Sequence, residues 1–174
     1  SAMRAEYAIT SLAVRTPDDD MCCLVLAIST RTVQVWRVPL TAGAGGGAAP
    51  RLVHADTSVH RSLASQVLYA RGQRFSAAEA MRMEMMDAAF VPGEDAFVVL
   101  YMDRSAPSMP SYGLALLDVA SDAPLAPRRI WPLRFEAAED PRPAARPRVL
   151  VAEAQPSVAF VSFAHAVVVQ LLCD

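Results

Sequence analysis

The 174-residue sequence contains no lysine, and all 16 of its basic residues are arginine. Acidic residues number 18, so the formal net charge is only −2 and neither sign dominates. A chain of this kind lacks the basic footprint that binds nucleic acid and the polybasic patch that binds anionic lipid. We therefore predict no direct nucleic-acid partner, and we attribute the missing lysine to a GC-rich genome.

Cysteine and long apolar runs are also scarce. The three cysteines, Cys22, Cys23 and Cys173, form neither a disulfide framework nor a metal-ligand spacing, which suits a reducing compartment. We interpret them as small core or near-surface thiols. Every apolar run is shorter than the roughly 20 residues of a membrane-spanning helix, and the N-terminus lacks the pattern of a signal peptide.

Metal-binding patterns are missing as well. Three histidines stand far apart in the sequence, without Cys, Asp or Glu at ligand spacing: His54, His60 and His165. The acidic run Asp18–Asp20 lacks the further ligands and the glycine of a calcium loop, and a polar turn between two strands explains it. We predict no metal site.

Enzyme motifs are equally absent. No serine stands in a Gly-x-Ser-x-Gly elbow, and the glycines of Gly43–Gly47 do not lead into the Lys-Ser/Thr of a phosphate-binding loop. The carboxylates of Glu136, Glu139 and Asp140 lie in a Pro-rich stretch, where burial cannot separate their pKa values. The sequence therefore predicts no enzyme, no cofactor, and no catalytic, cofactor-binding or metal-binding residues.

The residues that are present predict one folded, all-β domain. The chain is 53% hydrophobic and long enough to bury a sizeable core. Residues 1–3 resemble the remnant of a cleaved tag, so we assign residues 4–174 to the domain. Alternating or continuous apolar runs predict three antiparallel strands over residues 7–15, 21–29 and 32–40. In the third strand Trp36 opposes the valine face, which predicts that both faces are covered.

A Gly/Ala-rich segment, residues 41–50, predicts a flexible surface loop before one short helix. Asp56 or Thr57 is suited to cap this helix, which we place over residues 56–70. Val59, Leu63 and Val67 recur every four residues and form a narrow apolar stripe. The stripe contains neither Phe nor Trp, so we expect the helix to pack on the strands rather than insert into lipid.

A second series of strands follows the helix, with a Pro-rich loop over residues 136–147. The methionines of its first strand either pack in the core, which we favour, or form an adaptable peptide-binding surface: Met81, Met83, Met85 and Met86. Apolar runs predict strands over residues 83–90, 96–103, 112–120, 128–136, 148–153, 157–163 and 166–173. Repeated short meanders fit a sandwich, a barrel or a β-propeller, and the spacing alone does not decide between them.

The order of these patterns resembles a known family. A β run ending in "VQVWRVPL" is followed by a loop, the helix "DTSVHRSLASQ", the segment "DAFVVLYMDRSAPSMPSYGLALLDV" and finally "RPRVLVAEAQPSVAFVSFAHAVVVQLL". Over residues 33–173 this order resembles the N-terminal β-propeller of the stalk-tip nucleoporin in the Y-shaped outer-ring complex of the nuclear pore. The resemblance implies a partial propeller of roughly three to four blades.

The resemblance also implies a role. In that family the propeller is a non-enzymatic docking platform for other nucleoporins, in the nucleus at the pore, and it supports protein and mRNA transport. One loop of that propeller senses membrane curvature, but the resemblance begins after the position of that loop. Membrane contact is therefore possible in the full-length protein and is not signalled here. The alternative is a self-contained β-sandwich or barrel that binds a peptide or small ligand.

The terminal strands predict how the isolated chain behaves. If the blades at both ends lack neighbours, unpaired sheet edges with apolar side chains are left exposed, and such edges pair with other chains. A closed propeller hides these edges only when all of its blades are present. We therefore expect the isolated chain to self-associate, most simply as a two-fold dimer.

Overall fold

A computed structural model of the chain describes residues 8–16, 22–40, 49–105, 109–119, 124–136 and 146–173. These ranges form eleven strands and two helices. In chain order the elements are β1 (Ser11–Arg15), β2 (Cys22–Ile28), β3 (Val33–Pro39), β4 (Arg51–Asp56), α1 (Val59–Ala70), α2 (Ala77–Ala80), β5 (Met83–Phe90), β6 (Ala96–Asp103), β7 (Ser111–Asp118), β8 (Pro127–Glu136), β9 (Arg148–Ala152), β10 (Gln155–Ser162) and β11 (Val167–Leu171).

The strands form three antiparallel meanders that radiate from one line. Sheet 1 has the order β1-β2-β3-β4, sheet 2 the order β5-β6-β7-β8, and sheet 3 the order β9-β10-β11. The first strand of each sheet lies at an edge, and β5 contacts both β1 and β9. Three sheets whose first strands lie side by side around a common axis are blades of a β-propeller. The all-β prediction of a partial propeller is confirmed, with three blades.

Two apolar clusters fill the spaces between the sheets. One lies between sheets 1 and 2 and includes the buried face of α1; the other lies between sheets 2 and 3. Sheet 2 is therefore covered on both faces, and every residue of β6 is buried. This explains why its sequence, AFVVLYMD, is a continuous apolar run, whereas β1 and β9 alternate between buried and exposed residues.

Helix α1 packs on the sheets, as the apolar stripe predicted. Val59, Leu63 and Val67 are buried, and the helix contacts β5 and β8. The predicted start was wrong, because residue 56 ends strand β4. The helix begins at Val59 with Ser58 in the cap position, without a side-chain capping bond. The Asp56 carboxylate instead accepts the backbone N–H of Ser58 (2.5 Å) and of Leu125 (2.7 Å).

Strand β4 and helix α2 were not predicted, so sheet 1 has four strands instead of three and the fold has two helices instead of one. Most residues of β4 are exposed, which leaves little apolar pattern to recognise. Residues 1–3, 41–48 and 137–145 lie outside the described residues. The tag remnant and the two predicted loops, 41–50 and 136–147, therefore stay predictions.

A glycine in sheet 2 lets two strands approach closely. Gly113 on β7 lies directly across from Tyr101 on β6, and a Cβ atom at position 113 would overlap the Tyr101 ring and hydroxyl. We expect Gly113→Ala to lower the free energy of unfolding by about 1–3 kcal/mol, the usual cost of overpacking a core. Chemical denaturation measures this effect. In a Tyr101→Leu background the same change should cost clearly less; equal costs in both backgrounds would contradict the clash.

His60 predicts a pH dependence of stability. It is buried on α1, with Nε2 2.8 Å from the carbonyl oxygen of Met83. Burial lowers the pKa of His60 below its usual 6.5, with Arg31 acting in the same direction, although the Met83 carbonyl and Glu84 oppose the shift. The unfolded chain therefore takes up a proton before the folded chain does. The contribution of neutral His60 to the free energy of unfolding should be fully present above pH 6.5 and should decrease as the pH falls below 6.5. Thermal unfolding from pH 7.5 to 5 should show a flatter decline in His60→Gln; an unchanged slope would contradict this assignment.

Candidate docking surface

The sequence-predicted candidates for chemistry are not brought together. His54 lies on β4, beside Asp56 at 3.6 Å, His60 lies on α1, and His165 lies in the turn between β10 and β11. Within the described ranges, no three His, Cys, Asp or Glu residues group closely enough to hold a metal ion. Asp18–Asp20, Gly43–Gly47, Glu139 and Asp140 lie outside those ranges, as does the Glu136 side chain.

The thiols and thioethers have mainly packing roles. Cys23 is buried, Cys22 half-buried and Cys173 exposed, and all three are free thiols. Three of the four clustered methionines are buried in the core, which confirms the favoured prediction: Met83, Met85 and Met86. Met81 is 51% exposed. These methionines do not form a peptide-binding surface.

One carboxylate joins all three sheets at their inner edge. Asp87 on β5 is buried and accepts the Ser11 hydroxyl of β1 and, at 2.8 Å, the backbone N–H of Val149 on β9. Arg148 lies 3.4 Å from the same carboxylate. A bulge between Met85 and Asp87 shifts the β5–β6 register at this point. Sequence reasoning missed Asp87; the available signal was an acidic residue, Asp87, in the middle of the largely apolar strand MEMMDAAF.

A second polar contact ties the ends of sheets 1 and 2 together. The Arg15 guanidinium donates to the Asp95 carboxylate at 2.7 Å and to the Glu94 carbonyl, and it lies 5.3 Å from the centre of the Phe90 ring. Arg128 on β8 bonds Asp118 at 2.9 Å on the same side. The Arg15 contacts hold the turn between β5 and β6 against β1, and Arg128 joins β8 to the end of β7.

The outer face of sheet 1, which we call the first flank, is an open apolar surface. Val14, Val25, Trp36 and Leu52 are direct cross-strand neighbours and form one row across all four strands. Val14 is 64% exposed, and Leu12, on the same face of β1, is 62% exposed. Trp36 is only half-buried and donates its indole N–H to Gln34 at 3.1 Å. In the described part of the chain, the valine face of β3 is buried and its Trp36 face is half-buried, so the predicted cover of the second face is only partial.

The outer face of sheet 3, the second flank, has the same character. Leu150, Phe160 and Val169 form a direct row across its three strands. Leu150 and Val169 are 63% and 57% exposed, and Val167 and Leu171 on β11 are exposed as well. Contiguous exposed apolar surface of this kind marks an interaction site, whereas single exposed apolar residues do not.

The two flanks open into one cleft of about 870 Å³ along the propeller axis. Its walls are Leu12 and Val14 from the first flank and Leu150 and Phe160 from the second, and β5 forms its floor. Each sheet also ends in an outer strand that pairs with one other strand among the described residues, namely β4, β8 and β11, and sheet 3 has one strand fewer than sheets 1 and 2. The first strands of the three sheets thus contact one another at the inner edge, whereas the outer faces of sheets 1 and 3 are open.

No helix in the described residues is long and apolar enough to cross a membrane.

No family model matches the sequence, and no curated protein matches it. Among solved structures, the fold is similar to the crystal structure of the Nup133 β-propeller domain of Vanderwaltozyma polyspora, with a TM-score of 0.72 and 14% sequence identity. The match covers 95% of this chain and 42% of that chain, so this chain spans less than half of the propeller domain it resembles. The resemblance to a nucleoporin propeller is confirmed at the level of the fold: the chain has the architecture of three blades of a β-propeller.

Proposed function

We propose that the chain is part of a non-enzymatic scaffold propeller of a nuclear-pore nucleoporin, located in the nucleus at the pore. Its blade faces and loops dock other nucleoporins of the outer ring and thereby support pore assembly and the transport of proteins and mRNA. The similarity to a nucleoporin propeller over 95% of the chain carries this proposal. The exposed apolar side chains on the outer faces of sheets 1 and 3 also support it, because contiguous apolar surface marks contact with further protein and not a site for chemistry.

The polar groups of the interior support a structural role. Three buried carboxylates, those of Asp56, Asp87 and Asp103, each accept hydrogen bonds from backbone N–H groups. Asp103 is also paired with Arg71. Each of these hydrogen bonds fixes a turn or joins two elements of the fold, which is a structural use of a buried carboxylate. We therefore propose that the protein has no hydrolase, transferase or redox activity.

The alternative of a self-contained sandwich or barrel has less support. The three sheets radiate from a common axis instead of stacking face to face or closing on one another. In addition, the methionines that would line a peptide groove are mostly buried between the sheets. A peptide- or ligand-binding module would need a different surface from the one that the alternative assumed.

Gentle affinity purification of the full-length gene product tests the proposal. We expect outer-ring pore subunits to co-purify and a fluorescent fusion to concentrate at the nuclear rim. The control is the same full-length product with Asp87→Ala, which should lose these partners because the sheets lose their common anchor. If the intact protein recovers no pore subunits and is absent from the nuclear rim, the proposed function is wrong.

A further inference from the structure

The two flanks match each other in chemistry. The rows Val14–Val25–Trp36–Leu52 and Leu150–Phe160–Val169 contain no charged residue, and each lies on a sheet face directed away from sheet 2. Seven large apolar side chains on these faces are exposed: Leu12, Val14, Leu52, Leu150, Val167, Val169 and Leu171. The core of a protein interface is depleted in charged residues and enriched in apolar and aromatic side chains.

The geometry leaves room for a second set of blades around the same axis. Three sheets align with 42% of the similar propeller, so a full turn at this spacing holds about seven sheets. Two copies of this chain would then fill about six-sevenths of a turn without overlap. Widening the angle between neighbouring sheets by about one-sixth closes a ring of six blades, which is within the range of four to eight blades that propellers adopt.

We propose that the second flank of one chain packs on the first flank of another, so that two copies related by a two-fold axis along the propeller axis form one closed ring. Each dimer contains this contact twice. At each contact, β9 of one copy lies beside β1 of the other copy, in the same way that β5 lies beside β1 and β9 within one copy. Leu150 of one copy then faces Leu12 of the other. This proposal is independent of the assignment to the nuclear pore.

The size of the contact predicts its strength. Three strands of five residues present a face of about 14 by 17 Å, so the four faces of the dimer bury on the order of 1,000 Å². That area lies at the low end of specific interfaces. We therefore expect a dimer with a micromolar dissociation constant.

Sedimentation velocity on the 174-residue chain between about 1 and 100 μM is the test. Wild type should shift from monomer to dimer over this range, and Leu12→Arg and Leu150→Glu should each weaken dimerisation at least about a hundredfold, because each places an unpaired charge in both contacts. Mixing the two variants should restore a heterodimer, since it contains one native contact and one Arg–Glu pair. Tyr69→Arg, at a residue of α1 that is 84% exposed and away from the flanks, is the matched control and should dimerise like wild type.

At about 1 μM, where wild type is monomeric, the variants should unfold thermally at the wild-type temperature, because both positions are more than 60% exposed in the single chain. A wild-type chain that stays monomeric at 100 μM would overturn the proposal. The flanks would then be surfaces that further sheets of a longer polypeptide cover. A dimer that is weakened by Leu150→Glu and unaffected by Leu12→Arg would also overturn it, since like flanks would then face each other.

Discussion

Asp87→Ala should lower the free energy of unfolding by about 3 kcal/mol. The substitution leaves the Ser11 hydroxyl and the Val149 N–H without an acceptor at the inner edge of three sheets. An unsatisfied buried polar group costs about 1–3 kcal/mol. The contact with Arg148 adds little, because that side chain is 53% exposed and water screens it. Urea unfolding of the wild type and the variant measures the difference.

Two further variants show whether the position of this carboxylate matters. Asp87→Asn keeps one acceptor oxygen and should lose about half as much stability as Asp87→Ala. Asp95→Ala is the control, because this carboxylate also bonds an arginine, Arg15, but is 86% exposed. It should cost less than about 1 kcal/mol. If Asp87→Ala cost no more than the control, the carboxylate would not anchor the sheets.

Leu63→Ala should have a comparable or larger effect, about 2–5 kcal/mol. Leu63 is 1% exposed at the centre of the α1 stripe and belongs to the cluster between sheets 1 and 2. Removing its terminal carbons loses their burial and leaves a cavity that the surrounding strands cannot fill. Thermal and chemical unfolding measure the loss.

The same helix offers a control on its outer side. Tyr69 is 84% exposed, so Tyr69→Ala should change stability by no more than about 0.5 kcal/mol. The wild-type chain should not float with liposomes, because its apolar stripe is already buried against protein. Flotation that depends on Leu63 and Val67 would show that the stripe leaves the sheets to enter lipid, which would contradict this packing.

Most of the fold could be predicted because its strands bury one or both faces. The continuous run of β6 and the alternation of β1 and β9 follow directly from the position of each strand between or beside other sheets. Strand β4 escaped prediction because it lies at the outer edge of sheet 1 with most of its side chains exposed. The position of β4 is fixed by its pairing with β3, and the sequence contains no pattern that shows this pairing.

The open flanks and the anchoring carboxylate were harder to predict. Periodicity shows which residues share a face, but it does not show whether another sheet covers that face, so Trp36 was expected to be covered. Asp87 is similar: a buried carboxylate in a largely apolar strand is tolerated only where donors from other elements bond to it. Those donors, Ser11 and the N–H of Val149, are 76 and 62 residues away in sequence.

The central claim is that sheet 2 is an enclosed blade between two open blades. Hydrogen exchange measured for each strand of the monomeric chain, at about 1 μM, tests this claim most directly. The amides of β5, β6 and β7 should exchange most slowly, because sheet 2 is covered on both faces and opens only on extensive unfolding. The amides of β4 and β11 should exchange fastest among the strands, because each is the outer strand of an open sheet and pairs with a single neighbour among the described residues. Protection of β11 in the monomer equal to that of β6 would mean that the sheets close on themselves, and it would contradict the open three-blade arrangement.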